Sequence, residues 1–390
     1  MNQPPAALTT FFSYGFRPLF LLATLHAVLS VSFWSAWWLG LIPVDWQRLP
    51  ASWHGHDMLM GLAAAAIGGF LLTAVANWTG RKPVSGLPLG LLCLAWLGGR
   101  LSIHYPLLSL FADQVYWIGL WALLANEILR AGNRRNYKVL VVLLLLVLSD
   151  TAFHLTELFL PSRQQQALWV MLWLMILLIN VIGGRVIPAF TSNWLRRRAA
   201  PRQLAADELP AAHGPVDVAA IATLLLFALA VIGALPPLFS IPLGAVCCLL
   251  QTWRLARWKF YLTGSDPLVW MMHLSYLWIP LGIGLWTLAL TDMIPVSAAV
   301  HALTIGAIAS MILSIASRAA LGHTGRPLVS HPLLTAAILL LSVAAVSRIT
   351  AALTGMQNLM AFSALAWVAA FLCFAVRYIP ILTGPASEQP

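Results

Sequence analysis

The chain has 390 residues, of which 61% are hydrophobic and only 9% are charged. A soluble domain carries about 25% charged residues and fewer apolar ones, so this composition excludes a soluble globular protein. The formal net charge is +10. The basic residues lie in loops between apolar runs, which indicates a membrane topology signal and no nucleic-acid partner.

Apolar runs near the roughly 20 residues that cross a bilayer repeat along the whole chain. They predict an all-α polytopic membrane protein with about twelve transmembrane helices in one bundle, and a single integral membrane domain over residues 1–390. The predicted spans are 16–42, 53–76, 87–103, 107–129, 139–160, 168–190, 216–236, 239–258, 268–290, 298–321, 332–353 and 359–380. The third span is the weakest of these, so eleven is the alternative count.

The charge pattern predicts the orientation. Most of the 22 lysines and arginines fall in loops after even-numbered spans, and those after odd-numbered spans hold few, Arg100 among them. The positive-inside rule then places both termini in the cytoplasm. Residues 1–16 contain no Lys or Arg, so the charged start of a cleavable signal peptide is missing and the first span is predicted to be retained. The four cysteines form no C-x-x-C pair, which argues against a zinc site.

Two of the predicted spans carry the same motif. His56, Gly61 and Thr79-Gly80-Arg81 fit H-x4-G-x17-T-G-R, and so do His301, Gly306 and Thr324-Gly325-Arg326. In both, glycine is predicted to cap the helix C-terminus and the following arginine to complement the helix dipole. Both spans run inward, so His56 and His301 are predicted at one depth near the outer surface.

A third histidine is predicted at the same depth. His154, in the outward-running fifth span, lies about six residues from its outer end, so all three fall within roughly 10 Å of the outer interface. Neutral imidazole is a good ligand for iron and copper, and histidines from facing helices hold haem in bundles. The alternative for each is an interfacial histidine that bonds to a neighbour.

Other residues near His56 could contribute metal ligands. His54 cannot share a face with His56, since two residues rotate a helix by about 200°. Met60 lies one α-helical turn below His56, and its thioether suits Cu(I), although packing of the interior is the favoured explanation for this residue taken alone. The metal-ligand candidates are therefore His54, His56, His154, His301 and Met60.

The fifth span also carries a polar stripe. Asp150, His154 and Glu157 share one helix face. Ionisable groups within a span face the bundle interior and often mark proton pathways, so these three are candidates for a proton relay. A carboxylate that orients a ligating histidine, or a purely structural contact, are the alternatives.

Candidate cofactor contacts also occur near the inner surface. His273 and His323 lie near the inner ends of the ninth and tenth spans, and Arg185 lies in the inner half of the sixth. Such arginines reach lipid headgroups by default, or could neutralise haem propionates. The cofactor-binding candidates are His56, His301, Arg185, His273 and His323.

Several blocks resemble the NnrS family. The matching blocks are Trp53–Met58, Gly69–Ala74, Asn77–Gly80, Gly184–Thr191, His301–Thr304 and Leu321–Arg326. They are spread over most of the chain in the family's order. One departure is Asp57, where the family usually has glutamate. The matched residues carried over are His54, His56, His301, His323 and Arg185.

The resemblance implies a multi-pass protein of the bacterial inner membrane that contains haem, expected to be b-type, and copper. It links the chain to nitric oxide metabolism and tolerance, often beside denitrification. On this hypothesis His56 and His301 ligate haem, and His54 and His154 bind copper. Nitric oxide is then the small-molecule ligand, and the lipid bilayer is the surrounding partner.

The sequence does not determine whether the protein is an enzyme, and an oxidoreductase that acts on nitric oxide is one possibility. No catalytic residue is assigned, and the chain has no flavin or iron–sulfur motif that would identify an electron donor. Two other functions remain: a secondary transporter, or an assembly factor for other haem–copper enzymes.

Overall fold

The computed structural model describes residues 6–44, 50–102 and 104–387. Within these ranges the chain is helical and contains no strand. The α-helices are α1 Ala6–Phe11, α2 Phe16–Trp38, α3 Pro50–His56, α4 Ala64–Thr79, α5 Leu87–Leu101, α6 Pro106–Arg130, α7 Tyr137–Phe159, α8 Gln164–Ala199, α9 Pro215–Ile232, α10 Pro237–Ala256, α11 Pro267–Ala289, α12 Val296–His301, α13 Ser310–His323, α14 Pro332–Thr354 and α15 Gln357–Thr383. Two π-helical segments, π1 Asp57–Ala63 and π2 Ala302–Ala309, join α3 to α4 and α12 to α13.

In the described part of the chain, eleven helices are long and apolar enough to cross a membrane. The prediction of a polytopic helical membrane protein is confirmed. The predicted third span, 87–103, corresponds to α5, an apolar helix of only 15 residues, so the alternative count of eleven fits the long helices. Residue 103 itself lies outside the described residues.

Helix α8 is longer than the predicted sixth span. It continues beyond residue 190 through three consecutive arginines to Ala199, where the sequence had predicted a loop. Thr191 and Ser192 donate their hydroxyls to carbonyls one turn back, and Arg198 lies over the Trp194 ring. These contacts give the polar side chains partners in a segment that stays helical beyond the apolar run.

The chain forms two compact units. Unit 1 comprises Met1–Leu174, Ile315–Leu328 and Phe371–Pro390, and unit 2 comprises Met175–Ser314 and Val329–Ala370. In unit 1, α2 packs on π1 and α4, while α6 packs on α4, α5 and α7. In unit 2, α10 packs on α9 and α11, and both α11 and α14 pack on α12 and π2.

The two spans that carry the shared motif are the most buried of the eleven. Within an apolar stretch of 18 residues, 78% is buried in Pro50–Thr79 and 72% in Val296–His323. Their predicted glycine ends are also present, because Gly80 and Gly325 have φ values of +69° and +68°. Only glycine adopts this conformation without strain, so both motifs end their helices as expected.

Candidate metal centre

The two motif histidines each stand directly before a π-helical segment. His56 is the last residue of α3 and His301 is the last residue of α12. A π turn widens the helix, loses the regular i→i−4 bonding, and is frequent at functional sites. The two π-helical segments of the described chain therefore each follow directly on a predicted ligand.

In unit 1 His56 belongs to a buried group of four side chains, which we call the quartet: His56, Asp113, Asp150 and His154. Each offers one possible ligand atom, and these atoms all lie within 4.8 Å of one another. None of the four residues is more than 2% exposed. Three elements supply them, because His56 ends α3, Asp113 lies on α6, and α7 carries the remaining pair.

Direct hydrogen bonds of the quartet run between helices. His56 Nε2 lies 2.8 Å from Asp150 Oδ1, and His154 Nε2 lies 3.2 Å from Asp113 Oδ2. Gln114 donates its amide to Asp150 Oδ2 at 2.7 Å. Asp150 is thus oriented by His56 and Gln114, and Asp113 is oriented by His154 on another helix. The four groups are therefore held in place before any ion binds.

Along α7 the same groups are farther apart. His154 Nε2 lies 3.9 Å from Asp150 Oδ1, and His154 Nδ1 lies 3.8 Å from Glu157 Oε2. Both distances exceed a hydrogen bond. The predicted stripe is therefore present, but it is not a continuous hydrogen-bonded relay, and its role in proton transfer stays a prediction.

A second layer of charged residues surrounds the quartet. Arg100 donates from Nη2 to Asp113 Oδ1 at 2.8 Å, and its Nε lies 3.5 Å from Asp57 Oδ1. Asp57 in turn accepts a hydrogen bond from Ser30 and lies 3.1 Å from His26 Nε2. The sequence had grouped Arg100 with the outer loops, whereas it lies in α5 with only 8% of its side chain exposed.

Glycines in α5 and π1 make these approaches possible. A Cβ at Gly99 would lie 2.1 Å from Asp113 Oδ1. A Cβ at Gly61 would lie 2.8 Å from Arg100 Nη1. Real side chains do not approach so closely, so both glycines are required for the observed contacts.

His54 and Met60, two further predicted metal ligands, lie in the same apolar span as His56, Pro50–Thr79, but outside the quartet. The His54 ring stacks on Trp34 with 4.5 Å between ring centroids, while the ring of His56 stacks on Phe153 at 4.3 Å. The two histidines thus have different partners, as the helical rotation requires. Met60 is 1% exposed in π1.

The remaining predicted cofactor residue of the shared motif, His301, lies in unit 2. Its Nδ1–H donates to the Ser297 carbonyl at 2.7 Å. That bond selects the tautomer with a lone pair on Nε2, which is the form that ligates a metal. The proposal that His301 and His56 share one ligand stays a prediction, since the two residues belong to different units.

The inner candidates have separate surroundings. In unit 2, His273 Nε2 donates to the Thr191 hydroxyl at 2.9 Å, and that hydroxyl donates to the Ile187 carbonyl. The other ring nitrogen of His273, Nδ1, is buried and has no hydrogen-bond partner among the described residues. In unit 1, the His323 ring lies 5.8 Å from the rings of Tyr14 and Phe16. Arg185 is half-buried in α8.

Sequence reasoning missed Asp113, Arg100 and Gln114. Asp113 did carry a usable signal, because a carboxylate inside an apolar span faces the protein interior and marks function by default. Arg100 ends a short span, which made it resemble a loop residue. Gln114 carries no charge and gave no signal.

The charges of the quartet define what it can hold. Two carboxylates buried away from water are costly unless positive charge accompanies them. Arg100 supplies one positive charge, and protonated imidazoles or a bound cation must supply the rest. Two imidazole nitrogens and two carboxylate oxygens form a ligand set for a transition-metal ion.

Comparison with known proteins agrees with the motif blocks. No match to the chain is found among curated proteins. The family described as NnrS protein matches residues 10–386, nearly the whole length. The chain belongs to the NnrS family.

Proposed function

We propose that this protein is a metalloprotein of the bacterial inner membrane that binds nitric oxide at a copper ion held by the quartet. Family membership and the apolar helices support a membrane protein of the nitric oxide response. The observation that carries the copper site is the quartet itself, with four buried ligand atoms within 4.8 Å of one another.

The donor set fits copper. Imidazole suits copper, and mixed nitrogen and oxygen ligands are typical of Cu(II) in tetragonal geometry. Among divalent first-row ions copper also binds most tightly to a given site. A bound copper ion would supply one-electron redox chemistry and a position for nitric oxide. Asp113 and Asp150 would neutralise its charge, and Gln114 would keep the Asp150 carboxylate oriented.

Haem is better accommodated away from His56. The Nε2 atom of His56 faces Asp150, and the ring is covered by Phe153, so these contacts favour a small ion over a porphyrin. His301 retains the haem role in this proposal, because its Nδ1–H bond to Ser297 orients the ring as in metal-bound histidines. His273, His323 and Arg185 remain the candidates for further haem contacts.

Metal analysis of the purified protein tests the proposal. Wild type is expected to contain copper, and His154→Ala and Asp113→Asn are expected to lose it. His213→Ala is the matched control, because His213 has 59% of its side chain exposed, and it should retain wild-type copper. Equal copper in all four proteins would exclude the quartet as the site.

An optical spectrum of the same samples, reduced, with and without nitric oxide, tests haem. Loss of the haem band in His301→Ala but not in His154→Ala would support separate haem and copper sites. A colourless, metal-free wild type would overturn the proposal and favour a transporter. Cofactor that exchanges freely, together with a defect in a partner enzyme after deletion, would favour an assembly factor.

A further inference from the structure

Helix α8 carries three exposed arginines beyond its apolar segment. Arg196, Arg197 and Arg198 lie more than one helical turn past Phe190, where the predicted span ends. At about 1.5 Å per residue they stand roughly 9–12 Å beyond that point, at or just past the polar headgroup layer of a bilayer. An arginine stem is long enough to bring its guanidinium back to that layer.

The charges of Arg196 and Arg197 are not compensated within unit 2. Neither residue forms an ion pair or a hydrogen bond with another described residue of the chain. Glu208 and Asp217, acids that follow in the sequence, are each paired with a different arginine, at 2.7 Å and 2.8 Å. Two adjacent guanidinium groups are therefore free to bind an anion from outside the chain.

An exposed apolar turn lies beside these arginines. Arg198 donates from Nη1 to Ser265 Oγ at 2.7 Å, and Ser265 follows closely on the short turn Phe260–Leu262. The three side chains of this turn are 46%, 61% and 41% exposed. Lys259, which precedes the turn, has a φ of +59°, a conformation that residues other than glycine rarely adopt. The backbone thus presents consecutive apolar side chains outward, which is unfavourable in water and favourable at a membrane interface.

We propose that Arg196–Arg198 and Phe260–Leu262, together called the lipid surface, bind anionic phospholipids of the leaflet predicted to be cytoplasmic. The guanidinium groups contact the phosphate and the anionic headgroup, and the apolar turn contacts the boundary between headgroups and acyl chains. The turn begins shortly after α10 ends at Ala256. It therefore lies at the edge of the membrane, where lipid is a nearer neighbour than a soluble acidic protein.

Arg198 has a different role from the other two arginines. Its guanidinium lies over the Trp194 ring and binds Ser265, so it joins the end of α8 to the segment that carries the turn. The lipid surface belongs to unit 2 alone, and the inference does not depend on the copper site.

Native mass spectrometry of the full chain in detergent, with added phosphatidylglycerol or phosphatidylcholine, tests the lipid surface. Wild type is expected to bind phosphatidylglycerol more tightly. One basic residue near an anionic membrane contributes about fivefold in affinity. Arg196→Gln combined with Arg197→Gln should therefore lower the phosphatidylglycerol affinity by roughly 25-fold and leave the phosphatidylcholine affinity unchanged. Tyr261→Ser should weaken the binding of both lipids, because it removes an apolar contact that does not distinguish the headgroups.

Arg134→Gln combined with Arg135→Gln is the matched control. These arginines are exposed in a short turn of unit 1, and the control loses the same charge, so its phosphatidylglycerol affinity should stay near that of wild type. An equal loss in both double variants would overturn the inference and assign the preference to the overall positive charge. Equal affinity of wild type for the two lipids would overturn the anionic ligand. Copper content should match wild type in every variant, so failure of the lipid surface is distinguishable from failure of the copper site.

Discussion

Gly99 is the position where one added methyl group should disable the candidate metal centre. In Gly99→Ala the new Cβ would lie 2.1 Å from Asp113 Oδ1. The carboxylate must therefore move by about 1 Å to reach a normal contact, which is large beside the spread of about 0.2 Å expected for metal–ligand distances in a well-formed site. Because Arg100 and His154 hold the carboxylate on either side, it cannot turn away without losing one of these partners.

The expected result is a large loss of copper affinity with a small change in stability. Mutation of groups that orient a metal ligand lowers metal affinity by roughly 10–100-fold, and we expect a loss of at least this size when the ligand itself is displaced. Overpacking costs about 1–3 kcal/mol, which the better helix propensity of alanine offsets by about 1 kcal/mol. Titration of metal-free protein against a competing chelator measures the affinity, and thermal unfolding in detergent measures the stability.

Gly98→Ala provides the neighbouring control. A Cβ there would lie 3.4 Å from the Ala112 Cβ, an ordinary van der Waals contact. This variant should bind copper like wild type and unfold at the same or a slightly higher temperature. If Gly99→Ala binds copper as tightly as Gly98→Ala does, Asp113 is not a ligand and the reasoning from the quartet is refuted.

Three further outcomes are expected. Arg254→Met in unit 2 should destabilise the protein by about 3 kcal/mol, because it removes Arg254 Nε, which donates to the buried Asp217 Oδ1 at 2.8 Å. Thermal unfolding measures this loss, and copper per folded molecule should stay unchanged. Gly306→Ala should lower the unfolding temperature, since its Cβ would lie 2.4 Å from the Trp278 ring, while Gly322→Ala, with nothing within 4 Å, should not. Removing copper with a chelator should lower the unfolding temperature of wild type, because a ligand that binds only the folded state stabilises it, and an unchanged temperature would contradict a site built into the fold.

Much of the fold could be predicted because a bilayer restricts the possibilities. Without water to satisfy backbone groups, each apolar run must be a helix, so span positions followed from hydropathy alone. The observed helices differ from the predicted spans where hydropathy alone does not decide the helix length. In α5 the run is too short to decide, and in α8 helical hydrogen bonding continues into the arginines beyond the apolar segment.

Only part of the candidate site could be predicted from the sequence. Depth arguments brought His56 and His154 together correctly, because topology converts position along the chain into height in the membrane. Rotation about each helix axis is not determined in that way. Asp150 was therefore assigned to a stripe along α7, whereas its direct hydrogen bonds reach His56 and Gln114. Asp113 was missed although its charge within a span marked it, and Arg100 was missed because it ends a short span.

The shared motif itself encodes a departure from the α-helix. Histidine and glycine are five residues apart in both copies, and five is the hydrogen-bonding period of a π turn. The α-helical period placed Met60 beneath His56, but in a π turn that position belongs to Gly61. The same holds for His301 and Gly306, which follows it by five residues in π2. In each unit the glycine then admits a bulky partner to the widened turn, the guanidinium of Arg100 at one and the Trp278 ring at the other. The spacing H-x4-G therefore has a structural reason in both copies. The histidine precedes a π turn, and the glycine five residues later leaves room for a side chain of another helix to pack against that turn.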